Sequence, residues 1–220
     1  MDIVLWLFTL GYLFQVAASC ILVVKMQKQK SIYGMCPDTQ WVFFIATLSR
    51  CVWIFDTRLM GLPLAYIELI SNVVLGAYCC YLCHKYKHTV EYSTSKYLDA
   101  ISISVCCLVL CFLFHPGAKN QFYLTVQMLV SFTIFMESAG LLPQFLMMRK
   151  SKEVETMTGH YLMCLGTARL FRLFFWINMY LEGETFGYLI IADILHSVLL
   201  ADFAYIYYNS MKTGKPILLS

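Results

Sequence analysis

The sequence predicts an all-α membrane protein with seven transmembrane helices, and three observations support this fold class. Of the 220 residues, 60% are hydrophobic and only 13% are charged, whereas a soluble domain usually has roughly 45–50% and about 25%. Aromatic residues make up 16% of the chain and are spread along its length. Seven apolar runs alternate with short polar stretches. This composition excludes a disordered chain, a nucleic-acid binder and an ordinary cytosolic enzyme.

The predicted spans, in chain order, cover residues 3–24, 41–56, 63–83, 98–114, 122–148, 161–181 and 187–208. The first run is too long for a signal-peptide core and has no Lys or Arg before it, so we expect it to remain as an anchor. Together the spans form one membrane domain over residues 1–208, followed by a short tail over 209–220. An odd number of spans puts the two termini on opposite sides.

The basic residues predict the orientation. Eleven Lys and Arg residues lie in the tail and in the loops after the first, third and fifth spans, whereas the alternate loops contain only Arg58 and Lys119. Loops rich in Lys and Arg face the cytosol. We therefore expect a lumenal or extracellular amino terminus and a cytosolic carboxyl terminus.

A short internal duplication bears on the architecture. The stretch TQWVFFIATLSR, from Thr39 to Arg50, aligns with TGHYLMCLGTAR, from Thr158 to Arg169, with the same spacing from Thr to Arg. Both stretches open a predicted helix after a basic loop. This pattern predicts two parallel three-helix units joined by the fourth helix, which acts as an inverter.

Charged side chains within the spans are the candidate functional residues, because an Arg or Asp at a helix centre costs about 2.5–3.5 kcal/mol on insertion scales. The residues of this kind are Arg50, Glu68, Glu137, Arg169, Arg172, Asp193, His196 and Asp202. The duplication predicts that Arg50 and Arg169 point into one central cavity that holds fewer acids than arginines. Helical spacing places Arg172 and Trp176 on the same stripe as Arg169.

Such a cavity predicts an anion site, because Arg binds a carboxylate with two parallel hydrogen bonds. A free peptide C-terminus or an organic acid fits this chemistry. The alternative is that each arginine is neutralised internally by Glu137, Asp193 or Asp202 and only joins helices.

Two further features concern conformational change. Asp193 and His196 lie three residues apart and face one side of the last helix, where the histidine is either a proton sensor or a neutral hydrogen-bonding group. Glu137 is followed by small residues and then by Pro143, which predicts a broken helix and a hinge.

No catalytic motif is present, so we expect neither enzymatic activity nor a cofactor. The cysteines inside the apolar runs are typical of small buried hydrophobic residues. Cys80 and Cys83 form a C-x-x-C pair without a second pair at zinc-site spacing. Packing, or acylation near the membrane face, is therefore favoured over metal or redox chemistry.

Three blocks carry a resemblance to a known family: FMESAGLLPQF around Glu137, ETMTGHYLMCLGTARL from Glu155 to Leu170, and ADFAYIYY from Ala201. With these blocks the chain resembles the KDEL receptors, the ER lumen protein-retaining receptors, from end to end. The resemblance implies the arrangement of PQ-loop and SWEET-like transporters, with two three-helix units.

The function that the resemblance implies is a receptor of the ER and Golgi membranes. It would bind the KDEL- or HDEL-like C-terminal tails of lumenal ER proteins in the more acidic Golgi and return them to the ER through the COPI coat. Arg50 matches the arginine that binds the terminal carboxylate. The other matches are Arg169, Trp176 and Glu137 in the pocket, Asp202 in retrograde transport, and Lys212 and Lys215 as the sorting signal.

Several pocket positions depart from the family pattern: Phe8, Gln15, Cys51, Gln127, Ala168, Arg172 and Met179. Gln15 stands where the family has the histidine proposed to sense pH, and a glutamine cannot take up a proton near neutral pH. His196 with Asp193 is therefore the best replacement sensor that the sequence offers.

Two alternative functions stay open at this point. The first is a PQ-loop or SWEET-like transporter that moves a small anionic or polar solute through the same cavity. The second is a paralogue that binds no cargo and recruits coat or trafficking proteins through its cytosolic loops and tail.

Overall fold

The helices of the bundle follow the apolar runs of the sequence. The computed structural model describes residues 2–52, 63–90, 98–114, 126–151, 153–183, 187–213 and 217–218. The helices are α1 (Asp2–Gln29), α2 (Pro37–Arg50), α3 (Pro63–Lys85), α4 (Ala100–Leu113), α5 (Val126–Ala139), α6 (Leu142–Ser151), α7 (Thr156–Leu181) and α8 (Gly187–Thr213). A 3-10 turn at Lys87–Thr89 and an antiparallel pair of short strands, β1 (Glu153–Val154) and β2 (Ile217–Leu218), complete the described chain.

Within the described residues, four helical stretches are long and apolar enough to cross a membrane. They are Leu5–Gln29, Leu64–Lys85, Met128–Lys150 and Thr156–Leu181, and Ala100–Leu113 is a shorter apolar helix. Large apolar side chains point outward from the bundle, such as Ile101 at 74% exposure and Leu181 at 77%. A hydrophobic outer surface suits lipid rather than water. The predicted nearly all-helical membrane protein is confirmed at this level.

Helix α1 packs mainly against α7 and α3. A Cβ atom added to Gly11 would lie only 3.0 Å from Arg172 Cγ and 3.1 Å from the Ala168 carbonyl oxygen, so glycine permits the close approach of α1 and α7. The rings of Phe14 and Phe171 stack across this contact, with centroids 5.4 Å apart. Elsewhere α2 packs on α3 and α5, α4 on α5, and α8 on α7 and α5.

The predicted fifth span is broken into two helices. Helix α5 ends at Ala139 and α6 begins at Leu142, with Pro143 as its second residue. Proline is tolerated in the first turn of a helix, where its missing N–H has no intrahelical acceptor. At the break, a Cβ atom on Gly140 would lie 2.8 Å from Val42 Cγ1, so α2 approaches closely here. The predicted interruption after Glu137 is confirmed.

Helices α2 and α7 begin at Pro37 and Thr156. The apolar runs had predicted later starts, at positions 41 and 161. For α2, the physical reason is a clamp on the preceding turn by Gln144, which is fully buried. Its side-chain carbonyl accepts a hydrogen bond from the Cys36 N–H at 2.7 Å, and its amide donates to the Gly34 carbonyl at 2.9 Å. Polar residues can therefore occupy the first turn of α2, which hydrophobicity alone does not predict.

All ten cysteines are free. The predicted role as buried apolar residues is confirmed for Cys79, Cys80, Cys107 and Cys111, and Cys83 is buried as well. It is wrong for Cys20 and Cys106, which are exposed on the bundle surface, while Cys51 and Cys164 are partly buried. Among the described residues, no group of three or more His, Cys, Asp or Glu side chains is arranged to hold a metal ion.

Candidate functional site

A network of buried charged side chains surrounds Tyr12 in the first half of α1. The Tyr12 ring is 2% exposed, and the guanidinium carbon of Arg50 lies 3.4 Å from its centroid. The guanidinium carbon of Arg172 lies 5.0 Å from the same centroid. Because an aromatic face attracts cations, Tyr12 brings together arginines from α2 and α7. We call Tyr12, these two arginines and their charged partners the arginine network.

Glu137, in the last turn of α5, joins two arginines of α7. Its Oε2 atom accepts a hydrogen bond from Arg169 Nη1 at 3.1 Å and another from Arg172 Nη1. Glu137 is fully buried, and the two arginines are 2% and 3% exposed. The three-residue spacing on α7 places both guanidinium groups on one helix face, as predicted. One carboxylate therefore holds two cations inside the bundle.

Arg50 forms a separate ion pair with Glu68 of α3. Its Nη2 atom lies 3.0 Å from Glu68 Oε2, and both terminal nitrogens lie 3.3 Å from Oε1. Arg50 and Glu68 are each 3% exposed. Asn72, one turn further along α3, donates a hydrogen bond to Glu68 Oε1. The arginine thus presents both terminal nitrogens to a carboxylate.

Asp193 of α8 completes the acidic side of the network. Its Oδ1 atom lies 3.7 Å from Arg169 Nη1, yet neither carboxylate oxygen has a hydrogen-bond partner among the described residues. Three arginines therefore face three acids: Glu68, Glu137 and Asp193. The predicted excess of arginines over acids at this depth is wrong for the described residues. Internal neutralisation, the predicted alternative, describes these contacts.

A cavity adjoins the network, but neither Arg50 nor Arg169 is among the described residues that line it, so the prediction that both point into one central cavity is wrong for this cavity. It has about 370 Å³ of empty space, part of it open to the surroundings, between α1, α2, α3 and α7. Asn72, the partner of Glu68, lines this cavity, and so does Thr47, one turn before Arg50. Gln15 also faces it, and the Gln15 Oε1 atom has no partner among the described residues. Amide and hydroxyl groups therefore line part of the open space, together with apolar side chains such as Phe43, Phe44 and Leu165.

Two other predicted pocket residues are Trp176 of α7 and Cys51, which directly follows α2. Trp176 is 8% exposed on the buried face of α7 and packs with Ile134 and Phe175. Cys51, directly after Arg50, is partly buried, and its thiol lies 3.6 Å from the Thr47 carbonyl oxygen.

Of the remaining predicted site residues, the structure describes the side chain of Lys212 alone. Lys212 is exposed near the end of α8. The side chains of Gln127, His196 and Asp202, and the whole of Lys215, lie outside the described residues. The prediction that Asp193 and His196 face one side of the last helix and sense pH together therefore stays untested.

Sequence reasoning missed Tyr12 and the partnership of Arg50 with Glu68. Tyr12 lies one helical turn from both Phe8 and Gln15, two positions where the sequence departs from the family pattern. Glu68 and Asn72 form an i, i+4 polar pair inside an apolar helix, and side chains at this spacing lie on one face. This polar pair indicated that α3 contacts a buried charged residue, but it did not identify Arg50 as that residue.

A second buried cation was also missed, at the opposite end of α1. Lys25 is 1% exposed and donates hydrogen bonds to the Tyr33 carbonyl at 2.8 Å and to Thr158 Oγ1 at 2.6 Å. Its ammonium nitrogen also lies 2.9 Å from Glu155 Oε2. We call Lys25 with these three partners the lysine cluster. It joins the end of α1 to the start of α7.

Comparisons with known proteins agree with the resemblance in the sequence. Residues 31–179 match the family model described as ER lumen protein retaining receptor. ER lumen protein-retaining receptor 2 of Danio rerio is 31% identical over 217 residues, covering 95% of this chain and 96% of the relative. The ER lumen protein-retaining receptor of Dictyostelium discoideum is 27% identical over 212 residues, with 96% of each chain covered. Receptor 3 of Mus musculus is 29% identical over 218 residues.

These relatives are named as receptors, which agrees with a function other than catalysis and does not favour the transporter alternative. Because the matched segment covers more than half of the sequence and the similarity extends over nearly its full length, the chain belongs to the ER lumen protein retaining receptor family.

Proposed function

We propose that this chain is a multi-pass receptor that binds the KDEL- or HDEL-like C-terminal retrieval signals of lumenal ER proteins and returns these proteins from the Golgi to the ER in COPI vesicles. The observation that carries the proposal is the family match over residues 31–179, which includes Arg50, Glu137, Arg169 and Trp176. The receptor resides in the ER and Golgi membranes.

The geometry of Arg50 supports binding of a terminal carboxylate. In this structure its two terminal nitrogens already face the two oxygens of a buried carboxylate, that of Glu68. A peptide C-terminus presents the same planar group with the same charge. Arginine suits this role better than lysine, because its planar guanidinium forms two parallel hydrogen bonds.

We further propose seven spans in two three-helix units, α1–α3 and α5/α6 with α7 and α8, joined by α4. The duplicated positions support this arrangement, because Thr39 and Thr158 are both fully buried and Arg50 and Arg169 are both in the arginine network. The distribution of Lys and Arg supports a lumenal amino terminus and a cytosolic tail. The arginine network is then reached from the lumenal side.

The test is a binding measurement with the purified full-length receptor and peptides ending in Lys-Asp-Glu-Leu. One peptide has a free C-terminal carboxylate and the other a neutral amide, with the rest identical. We expect the free acid to bind at least about tenfold more tightly, because the amide loses the charge-assisted hydrogen bonds. Equal binding of the two peptides would exclude a carboxylate site.

Return to the ER is tested separately in cells. Replacing Lys212 and Lys215 by alanine should leave peptide binding unchanged and prevent recruitment of the COPI coat, so the receptor should accumulate in the Golgi. Lys28→Ala is the matched control, because Lys28 is also exposed and lies on the predicted cytosolic side. An unchanged distribution of the double variant would contradict the proposed sorting signal.

A further inference from the structure

We propose that Glu68 is an internal competitor for the carboxylate site on Arg50, so that cargo binds by exchange and Glu68 determines the affinity. This inference rests on the proposed function. Glu68 then controls the affinity for cargo, although it does not contact the cargo in the bound state.

The first argument is chemical identity. Glu68 presents to Arg50 the same group as a peptide C-terminus, at 3.0 and 3.3 Å and out of contact with bulk solvent. Both terminal nitrogens of Arg50 face this carboxylate. A second carboxylate cannot form the same two parallel hydrogen bonds while Glu68 stays in place.

The second argument is charge. With the three acids ionised, they balance the three arginines of the network. A further carboxylate added without displacement would leave one buried negative charge without a cation, which is strongly unfavourable in a protein interior. Binding therefore requires one internal acid to leave its arginine.

Of the two acids that accept hydrogen bonds from the arginines, Glu68 leaves more readily. Glu137 bonds to two arginines, whereas the ion pair of Glu68 among the described residues is with Arg50 alone. Asn72, which donates to Glu68, also lines the neighbouring cavity, whose other lining groups include the Gln15 amide and the Ser19 hydroxyl. A displaced Glu68 carboxylate can turn toward the part of this cavity that is open to the surroundings, where its charge is not enclosed, and accept hydrogen bonds from the Asn72 and Gln15 amides.

The test measures dissociation constants of full-length receptor variants for the free-acid and amidated Lys-Asp-Glu-Leu peptides. In Glu68→Gln the competitor loses its charge, and we expect the Kd for the free acid to fall about tenfold, with no change for the amide. Glu182→Gln is the matched control, since Glu182 is exposed at the end of α7 and its loss changes the net charge equally. Its Kd should change by less than about twofold.

Asn72→Ala provides a second variant that keeps every charge. It removes one hydrogen bond that holds Glu68 in place, so the Kd for the free acid should fall about two- to fivefold. If Glu68→Gln does not fold, the result for Asn72→Ala decides the question.

The outcomes separate this inference from the proposed function. A wild-type preference for the free acid, together with an unchanged or increased Kd in folded Glu68→Gln, would overturn the competitor role and leave the receptor function intact. If Glu68→Gln does not fold, an unchanged or increased Kd in Asn72→Ala would have the same meaning. A wild-type receptor that binds the acid and the amide equally would overturn both proposals.

Discussion

The arginine network and the lysine cluster both bury cations beside α1 and α7, yet they differ in how completely their polar groups are paired. Lys25 has three partners for its ammonium group within 2.9 Å. In the arginine network, Asp193, Glu137 Oε1 and Arg172 Nε have no hydrogen-bond partner among the described residues. Both sites carry opposite charges in contact, but among the described residues the lysine cluster leaves only Glu155 Oε2 without a hydrogen bond, whereas the arginine network leaves several buried polar atoms without one.

This difference indicates different roles. A cation whose donors are all used fixes the position of its helices, and an exchange of partners there would only lose hydrogen bonds. A network with unsatisfied buried polar groups has a higher free energy than a fully paired one, and an additional hydrogen-bond partner would lower that free energy. We infer that the lysine cluster stabilises the contact of α1 with α7 and that the arginine network serves binding. The following variants test this comparison.

The largest effect is expected for Arg50→Ala. The change leaves Glu68 buried without its cation, so the free energy of unfolding should fall by about 3–5 kcal/mol. Binding of the free-acid peptide should be lost at the same time. Denaturation of the purified receptor in detergent and a peptide-binding titration measure the two effects.

The double variant Arg50→Leu with Glu68→Leu separates stability from binding. Because it removes both charges and keeps the volume apolar, most of the lost stability should return, whereas binding should not. Recovery of peptide binding in this variant would contradict the role of Arg50.

A smaller effect is expected for Lys25→Met, which preserves the length of the side chain but removes its three polar contacts. The free energy of unfolding should fall by about 2–3 kcal/mol, since hydrogen bonds from a charged donor are lost and the partners on α7 and at Tyr33 are left behind. Preference for the free-acid peptide should persist. Lys28→Met on the exposed face of the same helix is the control and should change stability by less than about 0.5 kcal/mol. Loss of the free-acid preference in Lys25→Met would contradict the assignment of stability to the lysine cluster and of binding to the arginine network.

The smallest effect compares two threonines at equivalent positions of the duplication. Thr158 accepts a hydrogen bond from Lys25, whereas the Thr39 hydroxyl has no partner among the described residues, although both side chains are fully buried. Thr158→Val should cost about 1–2 kcal/mol of unfolding free energy, because it leaves a buried ammonium donor unpaired. Thr39→Val should be neutral or slightly stabilising. Equal losses of stability in thermal denaturation would show that the hydrogen bond from Lys25 to Thr158 contributes nothing measurable.

The sequence was sufficient to predict the helices because membrane insertion requires long apolar runs with satisfied backbone groups. The break between α5 and α6 was also predictable, since Pro143 and the small residues before it form a local signal. The start of α2 was not, because it depends on Gln144, more than a hundred residues away, bonding to the turn at Gly34.

The site was predictable in its residues but not in its pairings. Burial of Arg50, Arg169 and Arg172 follows from their position in apolar segments. Which acid each arginine contacts depends on how separate helices pack together. A single sequence gives no distances between those helices. Lys25 was counted as a loop residue because it lies at the end of an apolar run, where a lysine normally extends its charge into water. Its burial depends on Thr158 and Glu155, which are distant in sequence.

If the interruption at Gly140 acts as the predicted hinge, it gives the molecule a pivot with a long arm. Helix α6 has ten residues and is therefore about 15 Å long. A tilt of about 10° at the pivot displaces its far end by about 2–3 Å. Arg149 and Lys150 lie exposed at that far end, whereas Glu137 is one turn from the pivot and would move far less. Such a hinge would magnify a slight reorientation beside the arginines into a larger shift of two surface cations.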